Sequence, residues 1–365
     1  MSNKLNSKVV LEKTKKVAQA CKGDACAICV KECLMLNEYM IAPKMFFTEV
    51  LKSQSIDPEI PFSCTQCGYC EKVCPESLKL YEVFDEMKKE LQQASKSKAV
   101  LKSHYGVYFH QKMSQTKLVK GYEKGKYKRA FMPGCSLSAF SPHLVEETFK
   151  YLKAKDATIG SITSCCSKPL KDLGHQNAYS IQMSKFIDEI SSKGIEEIIV
   201  GCQNCYDTLK KEYPALSIKS IWHIFETEGL PEVSNSASLS VDSYVIHDPC
   251  PVEKSPEIKK IIRRLVGTLG YKVENKEESI AKCCGLGAMA GVSNIKLSKK
   301  ITAKRIKELA GERIINYCAA CTEVMGQGNK ESYHLLELIF DTPVAGKKNT
   351  LKKWMNRYQT KRRIT

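Results

Sequence analysis

Apolar residues recur at helical spacing in the first quarter of the chain. Pro43 is followed by the stripe Met45, Phe46, Val50 and Leu51, which predicts a short helix that begins at the proline. A second helix with one buried face is predicted by Leu80, Val83, Phe84, Met87 and Leu91. Residues 92–126 are instead rich in Lys, Ser and Gly, and we interpret them as a basic, partly helical connector.

From about residue 127 the pattern changes to short β-branched runs that alternate with helical stretches. Strands are predicted at 195–200 and 313–316, and helices at 144–152 and 295–309. Because alternating strands and helices pack as a parallel sheet covered by helices, this part of the chain is predicted to be α/β.

The same part of the chain repeats itself. RAFMPGC, ending at Cys135, matches YVIHDPC, ending at Cys250; SCC matches KCC, and CQNC matches CAAC. The offsets of 115, 118 and 116 residues are nearly constant, which indicates an internal duplication. The polar stretch 231–240 is predicted to join the two copies.

A fourth match aligns WHIFE (222–226) with YHLLE (333–337) at an offset of 111 residues. It places His223 and His334 at equivalent positions in the two copies. We therefore expect these histidines to share a structural role, such as capping a helix.

The composition sets broad limits on the class of protein. At 365 residues and 43% hydrophobic content, the chain can form two or three domains with ordinary cores. It has no run of about eighteen apolar residues, so no membrane span is predicted. The first residues lack the apolar core of a signal peptide, so we expect a cytoplasmic protein, with association with the cytoplasmic membrane face left open. Cytosolic thiols stay reduced, and clustered cysteines there more often hold metal than form disulfides.

The formal charge of +17 is that of the chain without cofactors. A cubane iron–sulfur cluster with four thiolates carries about −2, so four clusters would remove about eight to ten charges. The remaining basic surface suits an acidic redox partner or an anionic membrane as well as it suits phosphate.

The eighteen cysteines fall into four sets with none left over. Two sets have ferredoxin spacing: Cys21, Cys26, Cys29 and Cys33, and Cys64, Cys67, Cys70 and Cys74. The other two sets each contain five cysteines, arranged as a lone cysteine, an adjacent pair and a CxxC: Cys135, Cys165, Cys166, Cys202 and Cys205, and Cys250, Cys283, Cys284, Cys318 and Cys321. Several of these cysteines directly follow predicted strands. Because ligands bind beyond the carboxyl ends of parallel strands, each set of five is expected to converge on one site.

The second ferredoxin set, CTQCGYCEKVCP, is the bacterial two-cluster run, in which the fourth cysteine ligates the other cluster. By this exchange, one cubane is assigned to Cys21, Cys26, Cys29 and Cys74, and the other to Cys33, Cys64, Cys67 and Cys70. The first set departs from the run, with four residues between its first two cysteines and no proline after the last. A zinc site is the alternative, but zinc normally uses two separated pairs of ligands rather than a CxxCxxC triplet.

The sets of five have a simpler alternative, in which CQNC and CAAC are thioredoxin-like dithiols. That interpretation leaves the lone cysteines and the adjacent pairs without a role in both copies. Adjacent cysteines rarely chelate one tetrahedral metal, because neighbouring side chains diverge, whereas a cluster with several irons can use both.

The lone cysteine, CCG and CxxC at these intervals resemble the cysteine-rich CCG domain of heterodisulfide reductase. The order of a ferredoxin domain and then two CCG domains resembles the heterodisulfide reductase catalytic subunit. It also resembles the iron–sulfur subunits of glycolate oxidase, lactate utilisation and anaerobic glycerol-3-phosphate dehydrogenase. The resemblance covers about residues 20–340 and implies a non-cubane 4Fe–4S cluster in each copy that keeps all five cysteines. We therefore expect two cubane and one or two non-cubane 4Fe–4S clusters, with the ten cysteines of the two sets at the reaction centre.

Three residues beside the sets of five are singled out. The first copy has Ser167 where the family has glycine after the pair, so occupancy of the first site is left open. Gly285 in the second copy allows a close approach to a cluster and a positive φ. His247 precedes Cys250 and is a candidate donor of a hydrogen bond or proton at the second site, with a purely structural role as the alternative.

The fold class that follows is mixed α+β and α/β: a helical two-cluster ferredoxin-like domain and two duplicated, Rossmann-like α/β CCG domains. The predicted boundaries are 1–91 for the ferredoxin domain, 92–126 for the connector, 127–230 and 241–345 for the two copies, and 346–365 for a basic tail. The tail, with Trp354 and Tyr358, is interpreted as either solvated or bound to a membrane or partner.

Our leading hypothesis for function is an oxidoreductase subunit that passes electrons through the cubanes to the CCG clusters, which reduce a disulfide or a similar two-electron acceptor. The alternative is an electron-transfer subunit of a flavin-dependent 2-hydroxy-acid or glycerol-3-phosphate dehydrogenase that delivers electrons to quinone. The chain lacks a GxGxxG fingerprint, so a flavoprotein or other redox subunit is the expected partner. A zinc protein that binds nucleic acid is disfavoured by the ferredoxin run, and no nucleic acid is expected.

Overall fold

The computed structural model describes residues 4–96, 98–232, 243–274, 280–344, 346 and 348–365, except for the side chain of residue 24. The predicted joint between the copies lies outside the described residues from position 233 onward. The chain forms two compact units, each described by itself below. The first unit comprises Met1–Phe109, Pro169–Ser180 and Ile280–Arg305, and the second comprises His110–Lys168, Ile181–Ser279 and Ile306–Thr365.

The described α-helices, in chain order, are α1 Lys8–Ala20, α2 Ile28–Glu32, α3 Leu34–Tyr39, α4 Pro43–Ser53, α5 Glu59–Ser63, α6 Tyr69–Lys72, α7 Leu80–Ala94, α8 His104–Ser114, α9 Cys135–Phe140, α10 Pro142–Lys155, α11 Lys168–Asp172, α12 Gln176–Ser192, α13 Gln203–Glu212, α14 Ile221–Glu228, α15 Glu257–Thr268, α16 Ala290–Ser293, α17 Ile295–Glu308, α18 Ala319–Met325, α19 Leu335–Ile339 and α20 Thr350–Ile364. Short 3-10 turns occur at Gly23–Ala25, Cys250–Lys254 and Gly287–Met289.

The described β-strands are β1 Gly121–Tyr122, β2 Arg129–Met132, β3 Gly160–Thr163, β4 Glu197–Val200, β5 Ser217–Ser220, β6 Ser243–His247, β7 Lys272–Val273, β8 Arg313–Asn316 and β9 Glu331–His334.

The first unit is helical, and its core forms where three amphipathic helices meet. Both helices predicted here from the sequence are confirmed: α4 begins at Pro43 in its first turn, and α7 buries the predicted stripe. Phe47 of α4 and Phe84 of α7 are fully buried, with ring centroids 5.6 Å apart. Helix α1 packs against both α4 and α7. This core is the scaffold on which the ferredoxin cysteines are carried.

A segment of the second copy, Ile280–Arg305, belongs to this first unit. Asn294 fixes it by donating from Nδ2 to Tyr39 Oη at 2.9 Å and to Ser63 Oγ at 3.0 Å. Lys300 forms an ion pair with Glu38 at 2.8 Å. The second copy therefore contributes one segment to the first unit, because hydrogen bonds tie this distant segment to the ferredoxin helices, and the predicted domain boundaries stay a prediction.

The second unit contains two parallel sheets with the same strand order. One sheet has the order β1-β3-β2-β4-β5 and the other has β7-β6-β8-β9. Apart from β1, which is antiparallel to β3, every described pairing is parallel. Within each copy the order is second-first-third-fourth, which supports the duplication. This is the strand order of flavodoxin-like sheets rather than the dinucleotide-binding order, so the predicted Rossmann-like detail is not established.

Buried β-branched strands explain why the sheets form. In β4 and β8, the last three residues are buried, as expected for strands covered by helices on both faces. The predicted strands at 195–200 and 313–316 correspond to Glu197–Val200 and Arg313–Asn316, and the predicted helices at 144–152 and 295–309 fall on Pro142–Lys155 and Ile295–Glu308.

The register of the sheets corrects the predicted equivalence of the two histidines. Val200 pairs with Ser220 in the first copy, and Asn316 pairs with His334 in the second. Ser220 is therefore the counterpart of His334, at an offset of 114 residues. The position equivalent to His223 is Glu337. The sequence match was misplaced by three residues, because aromatic and apolar residues follow both strands.

Both histidines nevertheless take part in helix capping. His334 is the N-cap of α19: its Nδ1 accepts from Leu336 N at 3.2 Å. Glu337 returns the contact by accepting from His334 N at 2.7 Å. In α14, His223 has the position that Glu337 has in α19. Its Nδ1 accepts from the backbone N of the N-cap residue Ser220 at 3.3 Å.

The predicted connector and tail are both more ordered than expected. The connector contains α8 and ends in β1, which pairs with the edge of the first sheet. The tail forms α20, which packs on α9 and α10. Asn356, Thr360 and Ile364 are buried at a spacing of four residues, so this basic segment is an amphipathic helix and not a solvated tail. None of the described helices is both long and apolar enough to cross a membrane.

Candidate functional site

The first set of five cysteines lies beyond the carboxyl ends of three adjacent strands. Cys135 follows β2, the pair Cys165-Cys166 follows β3, and Cys202 follows β4. In the sheet β2 lies between β3 and β4, so one crossover places β3 on one side of β2 and the next crossover places β4 on its other side. Ligands of open α/β sheets bind at such switch points. The topology therefore directs these cysteines to one place.

The thiols of this set form a continuous chain of contacts. Cys135 lies within hydrogen-bonding reach of Cys165, Cys165 of Cys166, Cys166 of Cys205, and Cys205 of Cys202. The pKa of Cys166 is lowered because Cys165 and Cys205 donate hydrogen bonds to its sulfur. The contact with Cys165 and burial raise the pKa of Cys135 to about 12. The arrangement thus favours the thiolate at Cys166 and the protonated thiol at Cys135 within a buried sulfur cluster.

Gly134 makes this convergence sterically feasible. It precedes Cys135 with a φ of +79°, and a Cβ at this position would lie 2.9 Å from Cys202 Cβ and 3.2 Å from Cys205 Sγ. No other residue fits without moving the sulfurs.

Ser167, the residue predicted to be a departure from the family pattern, adopts a left-handed conformation with a φ of +54°. Its hydroxyl donates to Gln182 Oε1 at 2.7 Å. The serine therefore takes the positive φ that glycine at this place would favour, and a hydrogen bond holds it there.

Two residues of α8 that sequence reasoning missed also lie at this site. A ring nitrogen of His110 and the sulfurs of Cys135 and Cys165 lie within 4.8 Å of one another. Gln111 is buried, and its Nε2 lies 3.6 Å from Cys165 Sγ. No motif marked these residues, because they come from the connector and reach the site only through the fold.

In the second set of five, Cys250, Cys318 and Cys321 belong to the second unit, whereas Cys283 and Cys284 belong to the first. Cys250 follows β6 and Cys318 follows β8, as in the first copy. His247 is fully buried, and one of its ring nitrogens lies within 4.8 Å of Cys321 Sγ. Its predicted role as a donor stays a prediction.

Asp248 ties the loops of the second copy together. Its carboxylate accepts a bidentate pair from Arg263, at 3.0 and 2.8 Å, and a hydrogen bond from Tyr317 Oη at 2.7 Å. Burial and the adjacent Asp248 raise the pKa of Tyr317. Because Asp248 and Tyr317 directly follow two neighbouring strands, this contact fixes the loops that carry Cys250 and Cys318.

The ferredoxin cysteines gather in the first unit in two groups. The Cys29 group consists of Cys21, Cys26, Cys29 and Cys74. Burial, followed by the charges of its three partners, raises the pKa of Cys29 to about 11. The grouping places Cys74 of the second set with three members of the first, as the exchange rule for two-cluster ferredoxins requires.

The Cys67 group consists of Cys33, Cys64, Cys67 and Cys70, and Cys283 lies beside it. Burial and then the charge of Cys283 raise the pKa of Cys67 to about 12. At Gly287 a Cβ would lie 2.3 Å from Thr65 O and 3.2 Å from Cys283 Sγ, so glycine allows this contact. The Cys-Cys pair of the second copy is thus packed against a ferredoxin group.

A buried lysine accompanies the Cys67 group. The Lys88 side chain is fully buried, its Nζ lies 3.4 Å from Cys64 O, and its charge lowers the pKa of Cys64 against the larger effect of burial. Such a cation suits a site whose bound group is an anion. Lys88 was also missed, because it sits in a helix whose charged residues are otherwise typical of a solvent face.

The donor atoms fit iron–sulfur clusters. The Cys29 and Cys67 groups each supply four sulfurs, and the first set of five supplies a contiguous patch of sulfur. Thiolate is the ligand type that these clusters use. The ligand assignments themselves stay predictions.

Comparisons with known proteins agree with this chemistry. The family described as "4Fe-4S dicluster domain" matches residues 20–79. The family described as "Cysteine-rich domain" matches twice, at 129–210 and 244–326. The chain is therefore an iron–sulfur electron-transfer protein that joins a dicluster domain to two cysteine-rich domains, and the resemblance to heterodisulfide reductase subunits is confirmed.

The relatives are distant in sequence, and two of the three described here match most of this chain. One subunit of fumarate reductase (CoM/CoB) from Methanothermobacter marburgensis is 20% identical, over 86% of this chain and 70% of the relative. One subunit of dihydromethanophenazine:CoB–CoM heterodisulfide reductase from Methanosarcina acetivorans is 22% identical, over 79% of this chain and 77% of the relative. EtfAB:quinone oxidoreductase of Syntrophomonas wolfei is 24% identical, over 47% of this chain and 26% of the relative.

Proposed function

We propose that this chain is an oxidoreductase subunit that passes electrons from two 4Fe–4S cubanes to the cysteine-rich copies, where a disulfide or a similar two-electron acceptor is reduced. The observation that carries the proposal is the convergence of five thiols at the switch point of the first sheet. Five converging thiols are more than a single metal ion or a dithiol site requires.

The Cys29 and Cys67 groups are proposed to hold the cubanes, and the two sets of five to hold one or two non-cubane 4Fe–4S clusters. When bound, these clusters supply electrons one at a time. The overall reaction balances as RSSR′ plus two electrons and two protons giving RSH and R′SH. The protein positions the sulfur ligands, buries them from water, and places His110 and His247 beside cysteine sulfurs as candidate proton or hydrogen-bond donors.

Contacts within the first unit support a direction of electron transfer between the two ferredoxin groups. Cys283 lies beside the Cys67 group, so one segment of the second copy contacts the ferredoxin part within the first unit. The Cys67 group is therefore the proposed exit from the ferredoxin part. The Cys29 group, the other of the two ferredoxin groups, is the proposed entry.

The partner is proposed to be a flavoprotein or another redox subunit in the cytoplasm, because the named relatives include subunits of larger redox enzymes. The second candidate function is a conduit that delivers electrons to quinone. The similarity to EtfAB:quinone oxidoreductase favours it, although that match covers about half of the chain. Association of the basic surface with a membrane face would accompany that function.

Two cysteine variants test the proposal. Cys67→Ser is expected to abolish disulfide reduction with the natural donor but to retain it with reduced methyl viologen, because a small donor reaches exposed clusters directly. Cys284→Ser is expected to abolish reduction with either donor, because substrate chemistry cannot bypass the site where the bond breaks. Each variant is the other's control for general damage.

Full activity of Cys284→Ser with methyl viologen would exclude the cysteine-rich copies as the reaction centre. Reduction of quinone, with no reduction of any disulfide by the wild-type protein, would replace the proposal with the conduit.

A further inference from the structure

The C-terminal helix α20 is docked on the first copy in a fixed orientation. Asn356 Nδ2 donates to Ala139 O at 2.7 Å, and Thr360 Oγ1 donates to Ser138 O at 3.2 Å. Both donors are buried and lie one turn apart on the same side of the helix. These contacts fix the rotation of α20 about its own axis, so the helix always presents the same opposite face outward.

The outward face of α20 carries an apolar stripe. Leu351, Met355 and Tyr358 are 70%, 46% and 41% exposed, respectively. Their spacing of four and three residues places them in line on one face, opposite Asn356 and Thr360. A single exposed apolar residue is ordinary, but an aligned set on a docked helix adds nothing to the core and is typical of a binding surface.

The same helix is strongly basic. It contains six lysines and arginines and no acidic residue. Four of these cations are bonded within the protein: Lys353, Arg357, Lys361 and Arg363. The other two, Lys352 and Arg362, form no ion pair with any residue in the described part of the chain.

These two cations lie at the two ends of the apolar stripe. Lys352 is exposed and directly follows Leu351. Arg362 is exposed one turn after Tyr358, and its guanidinium carbon lies 5.9 Å from the centroid of the tyrosine ring. The outward face therefore has an apolar centre with a positive charge at each end.

The connector extends this surface beside the C-terminal half of the helix. Lys361 Nζ donates to Lys117 O, which brings the two segments together. Lys117 is exposed, and the next residue, Leu118, is more than half exposed. The connector thus adds one more cation and one more apolar side chain next to α20.

An anionic lipid surface matches this combination. Phosphate headgroups complement the positive charge, and apolar side chains enter the boundary between headgroups and acyl chains. Long side chains such as Lys352 and Arg362 keep their charges among the headgroups while their stems lie along the apolar stripe.

Two protein partners fit the face less well. The few apolar side chains are too small a set for the roughly 800 Å² per partner that a specific protein interface buries. A second copy of this chain would also place its own basic helix against α20, and like charges that face each other across an interface oppose association.

We propose that the outward face of α20 binds an anionic phospholipid surface, with Leu351, Met355 and Tyr358 entering the interface and Lys352 and Arg362 contacting headgroup phosphates. This inference goes beyond the proposed function, because it states where the protein is held and not what it reduces. Its test uses no electron donor or acceptor, so the outcome is independent of the reaction.

Vesicle flotation with the intact holoprotein measures the binding. Phosphatidylcholine vesicles that contain about 30% phosphatidylglycerol supply the negative charge, and vesicles of phosphatidylcholine alone are the neutral comparison. The wild-type protein is expected to float with the anionic vesicles at low ionic strength and to bind the neutral ones at least tenfold more weakly. Added salt is expected to weaken binding to the anionic vesicles, because it screens the exposed charges.

Two double variants divide the surface into its charged and apolar parts. Lys352→Gln with Arg362→Gln is expected to weaken binding about fivefold for each cation removed and to flatten the salt dependence. Leu351→Gln with Met355→Gln is expected to weaken binding about tenfold or more while the salt dependence remains. All four side chains are exposed, so the thermal unfolding midpoint is expected to stay that of the wild type.

Helix α12 provides the matched control. Ile181 and Lys185 are an exposed apolar residue and an exposed cation one turn apart, in the same compact unit as α20. Ile181→Gln with Lys185→Gln removes one of each kind, and its affinity for anionic vesicles is expected to stay within about twofold of the wild type.

Failure of the wild-type protein to float with anionic vesicles would overturn the inference, as would equal binding to neutral ones. Wild-type binding by the Leu351 and Met355 variant would reduce the effect to attraction between charges and would also overturn it. Sedimentation velocity without lipid tests the other occupant of the face. A dimer that this apolar variant abolishes would identify the surface as an interface between two copies.

Discussion

The backbone conformation directly after each Cys-Cys pair depends on a single residue. Gly285 has a φ of +101°, and a Cβ there would lie 2.6 Å from Ser298 O. Its amide N also donates to Cys283 Sγ at 3.2 Å. Ser167 takes a left-handed conformation at the equivalent place in the first copy, so the two copies meet the same geometric demand with different residues.

Gly285→Ser is expected to destabilise the first unit by about 3 kcal/mol, because a side chain there is strained in φ and collides with Ser298 O. The measurement is the thermal unfolding midpoint together with the iron content. Gly267→Ala is the control: it lies inside α15 with no atom within 4 Å of the added Cβ, and its stability is expected to be unchanged or about 1 kcal/mol higher. A Gly285→Ser protein as stable as the wild type would contradict the steric argument.

His110 is a residue whose removal is expected to change the first site without unfolding it. Its side chain lowers the pKa of Cys135 through a hydrogen bond, against the larger raising effects. Because donors to thiolate sulfur stabilise the reduced, more negative cluster, His110→Phe is expected to lower the reduction potential of the cluster at this site. A redox titration followed by electron paramagnetic resonance measures it.

His143→Phe serves as the control for the His110 variant, since that half-exposed histidine lies on α10 and faces Glu147. An unchanged potential in His110→Phe, with full cluster content, would show that the histidine has no electronic role.

Among the elements, the first strand of each copy ends in a different residue. Position 247 in the second copy corresponds to Met132 in the first, since each pairs with the last residue of the next strand. The first copy has a histidine at its cysteines nevertheless, because α8 supplies His110. The duplication therefore conserves the type of site while the supporting elements diverge.

The capping histidine His334 predicts a pH effect on α19. Burial lowers its pKa to about 3, and its Nε2 has no hydrogen-bond partner among the described residues. The unfolded chain takes up a proton below about pH 6.5, whereas the folded protein does not. Stability is therefore lost as the pH falls from about 6.5 toward 3, at up to about 1.4 kcal/mol per pH unit.

His334→Asn keeps a good N-cap and removes the titrating group. Urea unfolding between pH 7 and 4 is expected to show a shallower loss of stability in this variant than in the wild type. Identical pH profiles would mean that other histidines, such as His104, whose pKa burial lowers to about 4, account for the acid sensitivity.

At the scale of the whole molecule, the assignment of all eighteen cysteines predicts the metal content. Anaerobically purified protein is expected to contain about sixteen irons per chain, four in each of four clusters. About twelve irons would indicate that the copy with Ser167 holds no full cluster. Little iron with two or more tightly bound zinc ions would exclude the proposed function as a whole. Elemental analysis by plasma mass spectrometry distinguishes these results.

The sequence alone determined the local features of this protein. Helices α4 and α7, the α/β pattern, the duplication and the four cysteine sets are all visible from residue spacing, because helical periodicity, β-branched runs and ligand spacing are short-range properties. The register of the sheets required the structure, because the misplaced match of His223 with His334 has an offset close to those of the other matches between the two copies.

Only the tertiary structure placed distant segments together. Arg357 reaches Cys135 across 222 residues, and His110 reaches the same site from a connector that carries no motif. Cys283 packs beside the Cys67 group because Asn294 and Lys300 anchor its segment to the ferredoxin helices. These contacts depend on the burial of helix faces against separate parts of the chain, and residue spacing does not encode which faces will meet.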